Sequence, residues 1–142
     1  MECEIYQTVK HTSISHDFIK QTIQKTLKKI KEKGNVSVHL IGDDKMRTLN
    51  WHYRGKDSTT DVLSFAMHDG MDMPMSDELG DIFISIPRIR VQSREHDVSF
   101  REEFVRMLVH GILHLSGYDH IIQKDAQKMF ELQEDLVSKI IK

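Results

Sequence analysis

Three histidines, His110, His114 and His120, have the types and spacing to hold a metal ion; they lie in HGILHLSGYDH at 110–120. His110 and His114 are four residues apart in a stretch with helical apolar periodicity. Their imidazoles therefore share one helix face, one turn apart, and can reach a common ion. Gly117 lets the chain leave the helix through a left-handed or tight turn, which can bring His120 back to the same point. Three neutral imidazoles with one position left for water make an open, four-coordinate zinc site. Structural zinc sites usually close with four protein ligands, often Cys, and the one cysteine, Cys3, is far away in sequence. With nine histidines in 142 residues, a pair four apart arises by chance about half the time. The third histidine and the glycine between them carry the assignment: one zinc ion per chain, open on one side, and able to polarise a bound oxygen.

Other residues bear on this centre more weakly. Asp119 and Asp81 are candidates for a hydrogen-bond partner to a ligand imidazole, or for a base. A cap or turn role competes for Asp119. Arg54 can grip phosphate as a planar bidentate donor, and Lys56 can add to the same contact. On the residues alone, solvated surface positions are the simpler reading of both Arg54 and Lys56. Trp51 and Tyr53 can stack bases, although packing of a short helix is the simpler expectation for both. Met67, Met71, Met73 and Met75 sit among Asp, Gly and Pro and read as a flexible lid rather than a soft-metal loop.

These residues need elements to position them. A short strand around Ile5, Tyr6 and Val9 is followed by a helix over about 15–33, capped by Ser15, with Ile19, Ile23, Leu27 and Ile30 on one stripe. Val36, Val38 and Leu40 alternate as a strand. Asp43 or Asp44 can cap a short helix carrying Met46, Leu49 and Asn50. RGKDSTT at 54–60 is turn-like, and Val62, Leu63, Phe65 and Ala66 read as a strand buried on both faces. A long loop over 68–78 precedes a strand at 79–86, and Pro87 suits the first turn of a helix to about 95. Ser99 and Glu102 form a capping-box pattern that opens the histidine helix. A last helix over about 123–141 turns Ala126, Met129, Phe130, Val137 and Ile140 inward. Strands mixed with helices, then helices alone, indicate an α+β fold.

Composition narrows the setting. A chain of 142 residues, 39% apolar and 30% charged, suits one domain spanning 1–142. The formal net charge of -2 argues against a histone-like or tail-driven nucleic-acid binder, while leaving room for a local basic patch. A single cysteine permits no disulfide framework. The polar start has no signal-peptide core, and no apolar run approaches the ~20 residues of a membrane span. The expected address is a reducing cytoplasm, with no membrane and no disulfide partner.

The motif HGILHLSGYDH resembles the signature of the YbeY family of bacterial rRNA-processing endoribonucleases. So do LNWHYRGKDSTTDVLSF at 49–65 and ELGDIFIS at 78–85. The likeness runs from about Val36 to the final helix. It implies a zincin-like α+β fold, a small mixed sheet packed with helices, and zinc ligation by His110, His114 and His120. It also implies a functional arginine before the TDVLSF strand, which is Arg54 here. The implied activity is cleavage of single-stranded RNA in 16S rRNA 3′-end maturation and ribosome quality control, with the rRNA precursor and the small ribosomal subunit as partners. Ser58-Thr59-Thr60 stands where many relatives have a proline before the Thr, a departure that touches no proposed ligand.

Two other readings remain open at this point. The histidine spacing also resembles the HExxHxxGxxH of metzincin proteases, which makes a metalloprotease-like hydrolase one alternative. In that pattern the Glu is the general base, and Gly111 stands in its place. The other alternative is a non-enzymatic ribosome assembly factor whose metal only holds the fold.

Overall fold

Serine hydroxyls set the starts of three helices. Ser15 Oγ accepts from the Phe18 N–H and opens α1 (His16–Lys29). Ser85 Oγ accepts from Arg88 and opens α3 (Ile86–Glu95), with Pro87 in its first turn. Ser99 Oγ accepts from Glu102 at 3.0 Å and opens α4 (Phe100–Leu115), the helix of His110 and His114. Each bond satisfies one of the amides that a helix N-terminus leaves without an intrahelical acceptor. The computed structural model describes residues 3–66, 78–118 and 123–142, with the backbone alone for 123–125.

The strands are β1 (Cys3–Gln7), β2 (Asn35–Ile41), β3 (Val62–Ala66) and β4 (Glu78–Ser85), and the remaining helices are α2 (Asp43–Arg54) and α5 (Gln123–Ile140). The sheet order is β1-β2-β4-β3. β1 and β4 run parallel to β2, and β3 runs antiparallel to β4 with Ser64 opposite Ile82 and Ala66 opposite Gly80. The fold is a mixed α+β arrangement, as expected from the order of the elements.

One face of the sheet carries the main core. Val36, Val38, Ile82 and Ile84 meet Ile19, Ile23 and Leu27 of α1 and Phe104, Leu108 and Ile112 of α4. A second stripe of α4, made of Val105, Val109 and Leu113, packs on Met129, Leu136, Val137 and Ile140 of α5. α4 is thus clamped between the sheet and α5, and the position of its histidine face follows from that double burial. The other sheet face is covered at one end by α2, where Met46 packs on Ile41 and Leu63.

Several local expectations need correction. β3 is an edge strand with only Leu63 fully buried, not a strand buried on both faces. A five-residue edge strand beside a helix buries one side and leaves the other to a cavity. Neither Asp43 nor Asp44 caps α2; the cap position is Gly42, without a side-chain bond. Asp43 Oδ1 accepts instead from Thr59 Oγ1 at 2.9 Å and Ser85 Oγ at 2.7 Å, tying α2 to the loop before β3 and to the end of β4. α1 ends at Lys29 rather than near 33, because Lys31 turns left-handed at φ 57°. Phe130 is 61% exposed, off the buried stripe of α5 that Met129, Gln133, Leu136, Val137 and Ile140 form. Trp51 and Tyr53 are each 60% exposed and do not pack the core of their helix. The methionine-rich loop lies outside the described residues.

Candidate metal centre

The His110 and His114 side chains meet at their Nε2 atoms, 3.1 Å apart, with the ring centroids 4.6 Å apart and the planes at 74°. Imidazole nitrogens at this distance share either a proton or a cation. Two nitrogens each about 2.0–2.1 Å from a tetrahedral zinc ion would stand roughly 3.3 Å apart, so the pair fits such an ion with little adjustment. His120, the third expected ligand, and Asp119 lie outside the described residues. Among the described residues no group of three His, Cys, Asp or Glu converges.

The tautomer of His110 follows from its neighbours. Gln133 of α5 is buried, and its Nε2 donates to Glu134 Oε2 at 3.2 Å. A carboxylate only accepts, so the amide nitrogen must face it and Oε1 must face His110. Gln133 Oε1 lies 2.8 Å from His110 Nδ1. Nδ1 therefore carries the proton, and the lone pair is left on Nε2, the atom that faces His114. Glu134 is anchored in turn by Arg106, from Nε at 2.9 Å and Nη2 at 3.0 Å. That paired bond, first among the causes, holds the Glu134 carboxyl below the usual glutamate range. Arg106 also reaches Glu102 and the fully buried Glu103, whose other oxygen meets His96 Nδ1 at 2.7 Å. Gln133 was missed by the motif reading. Its signal was a polar residue on the apolar stripe 129–133–136–137–140 of α5.

Gly111 explains how α4 comes close enough to the sheet. A Cβ there would stand 3.0 Å from Ser64 Oγ and 3.1 Å from Ile82 Cγ2. At Gly80, with φ 150°, a Cβ would lie 2.1 Å from the Phe65 carbonyl oxygen and 2.8 Å from Leu115 Cδ2. The two glycines let helix and edge strand approach without side chains between them. α4 ends where Gly117 turns at φ 93° and the Tyr118 N–H reaches Leu113 O at 3.0 Å.

Beside the histidines is a cavity of about 570 Å³, within the range usual for small-ligand sites. His110, His114 and Met107 of α4 line one wall, β3 another, and Arg54 reaches it from the end of α2. Gly55, left-handed at φ 69°, stops α2 directly after Arg54, its N–H donating to Trp51 O at 3.0 Å. Asn50 Nδ2 donates to Ser58 O at 2.8 Å and pins the loop that follows. Asp61 also lines the cavity, but its carboxylate accepts from Val62 N, Thr60 Oγ1 and Gln92 Nε2. Those bonds give it a structural task.

The structure thus brings Arg54, His110 and His114 to one cavity, and it does not bring Lys56 or Asp81 there. Lys56 is exposed beyond Gly55. Asp81 lies on the sheet face away from α4, where Oδ1 meets His39 Nε2 at 2.9 Å. Strand alternation is the reason: Gly80 and Ile82 point at α4, so Asp81 must point the other way.

The arrangement matches proteins of known kind. The family described as Endoribonuclease YbeY matches residues 4–141. Endoribonuclease YbeY of Persephonella marina is 39% identical over 90% of this chain and 85% of its own. The protein of that name from Sulfurihydrogenibium is 38% identical over 96% of this chain and 90% of its own. The solution structure of TM1509 from Thermotoga maritima superposes with a TM-score of 0.70 at 30% identity, over 97% of this chain and 88% of that one.

Proposed function

The chain belongs to the YbeY endoribonuclease family, and on that premise we propose that it is a zinc-dependent endoribonuclease of single-stranded RNA. We place its action in 16S rRNA 3′-end maturation and ribosome quality control, in the cytoplasm, with the small ribosomal subunit as partner. No helix among the described residues is long and apolar enough to cross a membrane. The observation that carries the reading is the meeting of the His110 and His114 Nε2 atoms, 3.1 Å apart, in a cavity that Arg54 also lines.

His110, His114 and His120 are the residues that would hold the ion. A bound zinc ion supplies Lewis-acid stabilisation of charge on a phosphate oxygen. Arg54 binds the scissile phosphate through two parallel N–H bonds. Its donors meet the negative charge that grows on the phosphoryl oxygens in the transition state. Gln133 keeps the His110 lone pair directed into the cavity. A peptidase reading lacks its base: Gly111 stands where the protease pattern has a glutamate, and a Cβ there would already press on Ser64 and Ile82.

One variant separates this reading from a metal that only holds the fold. Arg54→Ala is expected to lower kcat/KM on single-stranded RNA at least ~100-fold, while zinc content and melting temperature stay at wild-type values. His114→Ala is expected to lose the zinc. If the metal-loaded wild type leaves single-stranded RNA intact, the nuclease reading falls and an assembly factor with a structural metal replaces it.

A further inference from the structure

Two large aromatic side chains stand exposed beside Arg54. Trp51 and Tyr53 each show 60% of their surface to solvent. Burial alone would have packed them, and a short helix gains nothing in stability from presenting both to water. Tyr53 is held in place: its ring lies 5.0 Å from Phe65, which lines the cavity, and 4.7 Å edge-on to His52. Trp51 is three residues before Arg54 and four after Arg47, so these three share one stripe of α2. Arg47 is bound bidentate to Asp57, which fastens the following loop to that stripe. Tyr53 is thus tied through Phe65 to the cavity that Arg54 lines, and Trp51 sits one turn before that arginine on the same helix.

We infer that Trp51 and Tyr53 form a stacking shelf for unpaired bases of the RNA strand that enters the cavity, adjoining the phosphate bound by Arg54. The inference rests on the endoribonuclease reading for its ligand, and it adds the residues that favour a single strand. Bases have π faces of any sequence, so rigid aromatics bind them without sequence preference. Bases stacked inside a duplex present no free face to such side chains. Arg54 adds positive charge at the cavity, which suits a phosphate backbone. Continuity with the cavity through Phe65, and this charge, favour RNA over a protein partner.

Trp51 is the one tryptophan of the chain, so its fluorescence reads the shelf directly and without any substitution. Titrating the metal-depleted full chain with a uridine decamer is expected to quench that fluorescence in step with binding. Trp51→Ala and Tyr53→Ala should each weaken decamer binding about five-fold or more. Trp51→Phe should keep most of the affinity, and binding of a blunt RNA duplex should not change in any variant. Saturating decamer without quenching, or alanine variants that bind like the wild type, would overturn the shelf and leave these aromatics for a protein partner. The two readings fail separately. Arg54-dependent cleavage with an unquenched Trp51 removes the shelf alone, and quenching without cleavage by the metal-loaded chain removes the nuclease alone.

Discussion

A single amide decides how His110 presents itself. Gln133 accepts from Nδ1 because its own nitrogen is committed to Glu134. Gln133→Leu keeps the volume but strands the Nδ1 proton in a buried place, and the ring gains by moving or changing tautomer. Zinc affinity is expected to fall ~10–100-fold, read by competition with a chromogenic chelator. Gln133→Glu retains an acceptor and should recover much of the loss. In the metal-free protein, nitrogen-15 shifts of His110 should report the Nδ1–H form in the wild type and lose it in Gln133→Leu. Unchanged affinity and tautomer in the leucine variant would refute the orienting role.

At the scale of elements, the meeting of α4 with β3 and β4 controls the site. Gly111 lies where the helix touches Ser64 and Ile82, and even a Cβ there would need those side chains to give by a few tenths of an ångström. Restoring the glutamate of the protease pattern, Gly111→Glu, would push a carboxylate into that contact. The expected cost is about 3 kcal/mol or more, from overpacking and an unpaired buried charge. It should appear in urea denaturation as a lower midpoint, with no peptidase activity gained. A variant as stable as the wild type would mean that α4 and the sheet are farther apart than described. The same contact explains why position 111 reads as glycine in a motif that otherwise resembles a protease.

Across the whole molecule, the charges around Arg106 join α4 to α5. Glu134 is depressed by its paired bond to Arg106. A carboxyl lowered on folding contributes its stabilisation in full above the ordinary glutamate range and loses it as pH falls through the lowered value. The wild type is therefore expected to lose stability between pH 6 and pH 3 more steeply than Glu134→Gln, measured by urea midpoints at each pH. Parallel curves would remove Glu134 from the acid response. Cys3 adds a contrasting case on β1, since burial pushes its thiol up to about 11, leaving it protonated and slow to react at neutral pH.

Local patterns set much of this protein before any packing is considered. The period of α4 put His110 and His114 on one face, the serines at 15 and 99 marked helix starts, and strand alternation was legible in Val36, Val38 and Leu40. These depend only on neighbours a few residues away, whose geometry the backbone dictates. The sequence by itself also carried the family, through motifs spread over most of its length. Tertiary structure decided what local periodicity cannot see. It put β3 at the sheet edge, turned Asp81 toward His39, left Trp51 and Tyr53 in solvent, and brought Gln133 from α5 to His110. Each of those outcomes depends on which distant element covers a given face, and that is chosen by close packing between elements far apart in the chain.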